Sequence, residues 1–239
     1  MSKVSILGIG IDSVTMDGAV AVADGFFGGD RPYVVFTPNP EIIMLAHDAR
    51  VKHDDSFANA LNSADLLLPD GIGVVIASKI LKNPLAARVA GFDFVCRMLE
   101  TGRSAYLFGA KPGVADTAAE ILRGKGVNIV GTHDGYFTDD TPIIDDINQK
   151  APDILLVCLG APKQELWITK NLNKLNVGLC VGAGGTLDAI AGTTPLAPDF
   201  IRRIGFEWLY RAVRQPSRFV RLAAIPRFFF AVITAKKIV

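Results

Sequence analysis

The chain passes from a strand to a helix within the stretch Ala64-Asp65-Leu66-Leu67-Leu68-Pro69-Asp70-Gly71-Ile72-Gly73. Three consecutive leucines predict a short strand that is buried on both faces, as in a parallel sheet. The apolar run stops at Pro69-Asp70-Gly71, and the apolar segment at residues 72–81 is long enough for a helix. Ligands of open parallel sheets bind at the edge where strands end and helices begin. Asp70 is therefore either a helix cap or a group with a chemical role, whereas Asp65 precedes the strand and belongs to the opposite edge.

Short apolar strands alternate with helices through most of the chain. Strands are predicted at residues 4–9, 33–36, 66–68, 105–108, 128–130, 154–159 and 178–181. This alternation predicts an α/β fold with a Rossmann-like, mainly parallel sheet and helices on both faces. We expect one α/β catalytic domain at residues 1–195, followed by a C-terminal basic helical appendage at residues 196–239.

The composition sets limits on the class of protein. The chain has 239 residues, half of them hydrophobic, and a net charge of +1. It can bury a large core, and the apolar surface left over could face lipid or a second copy of the chain, so a homo-oligomer stays open. Three isolated cysteines suggest reduced thiols in a cytosolic protein, and three histidines without ligand spacing predict no metal site and no cofactor. No apolar run is long enough to span a membrane.

The C-terminal segment differs from the rest in charge. Residues 208–239 contain seven lysines and arginines, many aromatic side chains and no acidic residue. Such a mixture is typical of a surface that lies against an anionic membrane. The alternative is an ordinary packed helix with a solvated basic face. Nucleic acid is not expected as a partner, because the rest of the chain is not basic and carries no nucleic-acid motif.

Glycine-rich turns follow several of the predicted strands. Glycine lets a backbone approach a phosphate closely, and the next helix N-terminus favours negative charge. The alternative for each turn is a plain strand-to-helix connection. The dinucleotide fingerprint Gly-x-Gly-x-x-Gly does not follow the first strand, which disfavours a nicotinamide-dependent oxidoreductase. The candidate substrate-binding glycines are Gly109, Gly135, Gly182 and Gly185.

Polar side chains are predicted at the same edge of the sheet. Helix capping is the local alternative for Asn39 and Asp70, solvation is the alternative for Gln164, and a surface ion pair is the alternative for Arg88. No Gly-x-Ser-x-Gly motif is present, which disfavours a serine hydrolase. The candidates at this edge are Thr37, Asn39, Asp70, Arg88, Gln164 and Asp188.

Six motifs in order along the chain resemble the WecG/TagA/CpsF glycosyltransferase family. The resemblance covers nearly the whole chain. The motifs are Thr37-Pro38-Asn39-Pro40-Glu41, Pro69-Asp70-Gly71-Ile72-Gly73, Arg88-Val89-Ala90-Gly91, Leu159-Gly160-Ala161-Pro162-Lys163-Gln164-Glu165, Gly182-Ala183-Gly184-Gly185 and Glu207-Trp208-Leu209-Tyr210-Arg211.

The resemblance implies an activity and a location. Members of the family transfer an N-acetylmannosamine-type sugar from a UDP donor to an N-acetylglucosamine carried on undecaprenyl diphosphate. They do so for wall teichoic acid and related surface glycans. We therefore expect a cytoplasmic protein that is peripheral on the inner face of the cell membrane. A non-catalytic, membrane-bound protein that binds nucleotide sugars is the alternative.

The resemblance also implies roles for single residues. Asp70 would be the general base that takes a proton from the acceptor. Thr37 and Asn39 would line the pocket for the sugar and the acceptor, and Arg88 and Gln164 would contact donor or acceptor. Three arginines of the appendage would reach over the site to the diphosphates: Arg211, Arg218 and Arg221.

Overall fold

The computed structural model describes residues 2–198, 201, 210 and 224–236. The strands are β1 (Lys3–Ile6), β2 (Ile9–Asp12), β3 (Tyr33–Phe36), β4 (Leu66–Leu67), β5 (Ala105–Gly109), β6 (Ile129–His133), β7 (Ile154–Cys158) and β8 (Leu179–Gly182). Six of them form one sheet in the order β4-β3-β8-β7-β5-β6, and every neighbouring pair is parallel. The predicted α/β class and parallel sheet are confirmed, and the carboxyl ends of all six strands share one edge.

Helices cover both faces of the sheet, as predicted. They are α1 (Met16–Asp24), α2 (Pro40–Val51), α3 (Ser56–Asn62), α4 (Ile72–Ile80), α5 (Gly91–Leu99), α6 (Val114–Gly124), α7 (Thr141–Lys150), α8 (Lys163–Asn171), α9 (Thr186–Ile190) and α10 (Ala224–Lys236). Successive side chains of a strand point to opposite faces. Val34 and Phe36 of β3 accordingly enter the core beside α2, α3 and α8, whereas Val35 enters the core beside α1, α5 and α6.

The beginning of the chain corrects one prediction. Residues 4–9 do not form a single strand of the main sheet, because the chain reverses at Leu7 and Gly8, where φ is +51° and +84°. The segments β1 and β2 pair antiparallel in a separate hairpin. Only every second residue of β1 is buried, so one face of this strand covers a core while Lys3 and Ser5 on its other face are exposed.

The edge strand β4 depends on a side chain for support. It pairs with β3 on one side, and on the other side the Leu67 N–H donates to Asp12 Oδ2 at 2.8 Å. Asp12 is 1% exposed, and its Oδ2 lies 3.6 Å from the ammonium of Lys3. A buried carboxylate therefore takes the place that a neighbouring strand would occupy, directly before the turn that carries Asp70.

Asp65 lies at the opposite edge from Asp70, as predicted. Its Oδ2 accepts a hydrogen bond from the backbone N–H of Val34 at 2.9 Å, and the carboxylate pairs with Arg31. Both contacts lie at the start of β3 and β4. They fix the relative position of the two strands and lie away from the edge where ligands would bind.

The helix α10 packs against α2 and α4. Phe228 and Val232 are fully buried in the same core as β3, and Arg227 Nη2 donates to both carboxylate oxygens of Asp48 in α2, at 2.9 and 3.0 Å. This part of the predicted appendage therefore shares the core of the α/β domain. No helix in the described ranges combines the length and apolar character that crossing a bilayer requires.

Candidate active site

Asp70 lies in a tight turn at the carboxyl end of β4. Its backbone N–H donates to the carbonyl oxygens of Leu68 at 2.9 Å and Pro38 at 3.3 Å. Gly71, with φ +87°, occupies the N-cap position of α4. The alternative that Asp70 is the N-cap residue of α4 does not fit, because Asp70 lies one residue before the N-cap. The turn is tied to the loop after β3, so two neighbouring strands fix the backbone that carries the Asp70 carboxylate.

Arg88 lies beside the same turn. It sits in the loop between α4 and α5, and the N–H of the following residue, Val89, donates to the Pro69 carbonyl at 3.0 Å. This bond joins the backbone next to Arg88 with the backbone next to Asp70. The fold therefore brings together two predicted site residues that are distant in the sequence.

The loop after β3 places Thr37 and Asn39. The Asn39 Oδ1 accepts a hydrogen bond from the Ile42 N–H at 3.0 Å, so Asn39 caps α2 as its local alternative predicted. Thr37 Oγ1 lies 3.5 Å from the Gly182 carbonyl oxygen at the end of β8. A methyl group added at Gly91 would come within 2.9 Å of the same Oγ1. Thr37 is thus held between β8 and the start of α5.

Gln164 is buried at the start of α8, and the predicted alternative of solvation is wrong. It is 2% exposed, and its Oε1 accepts a hydrogen bond from the Gly184 N–H at 3.0 Å. Its Nε2 donates to Glu165 Oε1 at 2.9 Å. Both ends of the amide therefore contact protein groups, and one of these groups belongs to the glycine turn after β8.

A cavity of about 820 Å³ opens at the carboxyl ends of β5, β6 and β7. Its size falls within the range of small-molecule sites. Lys163 Nζ donates to the Gly135 carbonyl at 3.1 Å and lies 4.4 Å from the centroid of the Phe137 ring. The lining residues are Ala110, Lys111, Gly135, Tyr136, Phe137, Thr138, Cys158, Leu159, Lys163 and Asp188.

Two lining residues have their own local constraints. Burial raises the pKa of the Cys158 thiol to about 12, so it stays protonated at neutral pH. Asp188 lies in α9, and its Oδ1 accepts a hydrogen bond from the Thr193 hydroxyl at 3.2 Å. This contact holds the Asp188 side chain against the end of α9, at the margin of the cavity.

The four predicted glycines occupy different positions at this edge. Gly135 lines the cavity, and Gly185 caps α9. At Gly109, where φ is +130°, a Cβ atom would lie 2.4 Å from the Cys158 carbonyl oxygen. At Gly182 a Cβ atom would lie 2.8 Å from the Phe36 ring. The last two glycines are therefore required for close backbone packing, whatever else they do.

The spatial order of the strands gives the site its shape. Asp70 follows β4, Thr37 follows β3, Gly182 ends β8, and the cavity begins at β7. Adjacent strands are separated by about 4.8 Å, so the cavity begins roughly 14 Å from Asp70. Among the described residues, no three His, Cys, Asp or Glu side chains form a group that could hold a metal ion.

Three predicted site residues lie outside the described residues, and five residues at the site were not predicted. Arg211, Arg218 and Arg221 lie outside the described residues. Lys163 and Glu165 belong to the same motif as Gln164, but the sequence did not predict either of them as a site residue. Nothing in the local pattern indicated that Tyr136 would line a cavity, except that it follows the predicted Gly135. The missed residues are Lys111, Tyr136, Phe137, Lys163 and Glu165.

Comparison with known proteins gives the family. The model of the "Glycosyl transferase WecG/TagA/CpsF family" matches residues 4–238. A protein of Bacillus spizizenii (strain W23) is 36% identical over 205 residues, which cover 83% of this chain and 78% of the relative. A protein of Staphylococcus aureus (strain MW2) is 34% identical in an alignment 246 residues long, and this alignment covers 99% of this chain and 94% of the relative. Both are named N-acetylglucosaminyldiphosphoundecaprenol N-acetyl-beta-D-mannosaminyltransferase. The chain therefore belongs to the WecG/TagA/CpsF family of glycosyltransferases.

Proposed function

We propose that the protein transfers N-acetylmannosamine, or a related sugar, from a UDP donor to N-acetylglucosaminyldiphosphoundecaprenol, with inversion at the anomeric carbon. The names of relatives at 34–36% identity support the acceptor and the sugar. The observation that carries the mechanism is the position of Asp70, a carboxylate fixed in a turn at the ligand-binding edge of a parallel sheet. The product would enter wall teichoic acid or another surface glycan.

The cavity beyond β7 is the proposed site for the UDP part of the donor. Lys111 and Lys163 supply positive charge, and Tyr136, which is 67% exposed, offers a ring on which a base could stack. The diphosphate and the sugar would then extend across the ends of β8 and β3 towards Asp70. Positive groups and backbone N–H donors along this path would stabilise the negative charge that develops on the leaving UDP.

Asp70 acts as the general base in this proposal. The acceptor hydroxyl attacks the anomeric carbon on the face opposite UDP, its proton passes to the Asp70 carboxylate, and the bond between the anomeric carbon and the UDP oxygen breaks. A positioned base contributes about 10²–10⁴-fold to such a step. Thr37 and Asn39 line the acceptor and sugar pocket, and Arg88 and Gln164 act at or beside the substrates. Arg211, Arg218 and Arg221 are the proposed partners of the diphosphates.

The basic C-terminal segment is the proposed contact with an anionic membrane. In α10, Phe230 is 71% exposed and Ile233 is 45% exposed, and Phe229 lies near Gly73 of α4. Such side chains would enter the lipid interface beside the acceptor, which is itself held in the membrane. This arrangement would make the protein peripheral on the inner face of the cell membrane.

A vesicle test addresses the membrane proposal by itself. The double variant Phe230→Ser/Ile233→Ser should lose sedimentation with vesicles that contain anionic phospholipid, whereas the double variant Val51→Ser/Ile121→Ser removes exposed apolar side chains elsewhere and should keep it. Equal sedimentation of the two variants would contradict a membrane role for α10.

The release of UDP tests the function directly. UDP release should be measured with a panel of UDP-sugars, each with and without a short-chain analogue of the acceptor. We expect release from UDP-N-acetylmannosamine that depends on the acceptor. Binding of UDP without release on addition of the acceptor, for every sugar in the panel, would instead favour the non-catalytic binding protein.

A further inference from the structure

A second carboxylate, Glu165, lies next to Gln164 in the first turn of α8. Glu165 is 1% exposed, and its Oε1 accepts the hydrogen bond from Gln164 Nε2. Within the part of the chain that the structure describes, its Oε2 is buried without a hydrogen-bond partner. A buried carboxyl group in this state is unfavourable for folding, so its presence requires a reason beyond packing.

Glu165 and Gly184 together determine how the Gln164 amide is oriented. If the amide were reversed, its NH₂ group would face the Gly184 N–H and its oxygen would face Glu165 Oε1. Both contacts would then be repulsive, because a donor would meet a donor and an acceptor would meet an acceptor. The observed orientation satisfies both neighbours, so Glu165 selects the state in which Gln164 holds the Gly184 N–H.

The turn that Gln164 holds is part of the proposed site. Gln164 Nε2 lies 3.3 Å from the position of a Cβ atom at Gly182, so the amide covers the end of β8. The Gly182 carbonyl in turn lies 3.5 Å from Thr37 Oγ1. A chain of contacts therefore runs from Glu165 through Gln164 and the turn at residues 182–185 to Thr37.

We infer that Glu165 is a positioning residue, which orients Gln164 and thereby fixes the turn after β8 against Thr37 for binding of the donor diphosphate. Glu165 does not touch the substrate. This inference rests on the proposed function for the identity of the ligand. The orientation of Gln164 and the order of the turn depend on the chain alone.

The experiment pairs an activity-independent readout with kinetics. Amide hydrogen exchange at Gly184 should be measured in Glu165→Met, which keeps the length of the side chain but removes the acceptor, and in Glu165→Gln, which keeps an acceptor oxygen. We expect exchange at Gly184 to become at least about tenfold faster in Glu165→Met and to return to within about threefold of wild type in Glu165→Gln. Glu165→Asp withdraws the oxygen from Gln164 while keeping a carboxyl group. It should behave like Glu165→Met, and it replaces that variant if Glu165→Met does not fold.

Kinetics then connect the turn with catalysis. With acceptor and UDP-sugar, kcat/KM for the donor should fall about tenfold to a hundredfold in Glu165→Met or Glu165→Asp and should be restored in Glu165→Gln. Unchanged exchange at Gly184 in Glu165→Met and Glu165→Asp would overturn the inference. A fall of kcat/KM in Glu165→Gln as large as in those two variants would overturn it as well. If wild type releases no UDP with any donor, the proposed function fails, and the exchange data still decide whether Glu165 positions Gln164 and the turn.

Discussion

The two ends of the candidate site are built in different ways. Asp70 follows a strand of only two residues at the margin of the sheet, and that strand depends on the Asp12 side chain, the loop after β3 and the contact between Val89 and Pro69. The cavity follows β5, β6 and β7, strands of five residues that pair in parallel, with one register shift between β5 and β6 at Ala105 and Tyr106. One buried side chain and a few isolated backbone hydrogen bonds between separate segments support the first end, whereas the ladders of the sheet support the second.

This difference predicts that substitutions at the two ends of the site have different effects. A substitution near Asp70 should change the chemical step or the stability of the strand that carries it. A substitution in the cavity should change the affinity for the donor and leave the sheet intact. The following predictions test this separation.

The largest effect is expected for Asp70→Asn. The amide keeps the shape of the side chain but cannot accept the proton of the acceptor hydroxyl, so kcat should fall by about 10²–10⁴-fold while UDP binds as in wild type. Turnover and UDP titration measure the two quantities. Asp145→Asn removes an exposed carboxylate of α7 and is the matched control. Turnover of Asp70→Asn at the control level would refute the assignment of the base.

Asp12→Ala should reduce both stability and turnover. It leaves the buried N–H of Leu67 without its acceptor, which costs about 1–3 kcal/mol, and it loosens the strand that precedes Asp70. Urea unfolding and kcat measure the two effects, and Asp12→Asn should lose less of each because its amide oxygen can still accept the bond. Equal stability of Asp12→Ala and wild type would mean that β4 does not need this support.

Lys163→Met should affect the donor alone. Removing a positive charge from the cavity should raise KM for the UDP-sugar about tenfold, corresponding to about 1.4 kcal/mol, with a small change in kcat. The matched control is Lys125→Met, at an exposed position after α6. A fall in kcat without a change in KM would place Lys163 at the chemical step instead.

Glu165→Gln should make the protein more stable near neutral pH. Burial raises the pKa of Glu165, so the folded state resists ionisation above the ordinary pKa of a glutamate, and stability falls as pH rises through the folded-state pKa. The amide removes this penalty, and we expect a gain on the order of 1 kcal/mol at pH 7.5 that disappears near pH 4. Thermal unfolding at the two pH values measures it. A gain of equal size at both values would contradict the electrostatic cause.

The smallest effect is expected for Arg227→Met. Its ion pair with Asp48 joins α10 to α2, but the arginine is 60% exposed and the pair is screened by water. We expect a loss of about 0.2–1 kcal/mol that shrinks in high salt. Urea unfolding at low and high salt measures this loss. A loss that does not depend on salt would assign the effect to packing of the arginine stem.

The sequence predicted much of the sheet because its strands are short, apolar and separated by turns. The boundaries of β3 agree with the structure, and Asn39 caps the helix that it was expected to cap. Residues 4–9 misled the prediction because a turn at Leu7-Gly8 lies inside an apolar run, although Val4, Ile6, Ile9 and Ile11 alternate as in a hairpin with one buried face.

The candidate site was less accessible from the sequence. Local patterns predict which residues follow strands, but not what covers them. Gln164 was predicted as a site residue with solvation as the alternative, and no local pattern indicated that the turn after β8 would bury it. Lys111 and Tyr136 lie in loops, where no periodicity distinguishes a lining residue from a solvent-facing one, and Lys163 is only the first residue of α8.

The packing of α10 on α2 and α4 has a consequence for the time at which the two ends of the site can form during synthesis. The cavity end is assembled from residues 105–190, which leave the ribosome as one continuous block. The surroundings of Asp70 also include α10, whose Arg227 pairs with Asp48 across 179 positions of the chain. This ion pair can close only after residue 227 has left the ribosome, which is later than the synthesis of every residue that lines the cavity. A nascent chain can thus acquire its cavity before the support around the turn that carries Asp70 is complete.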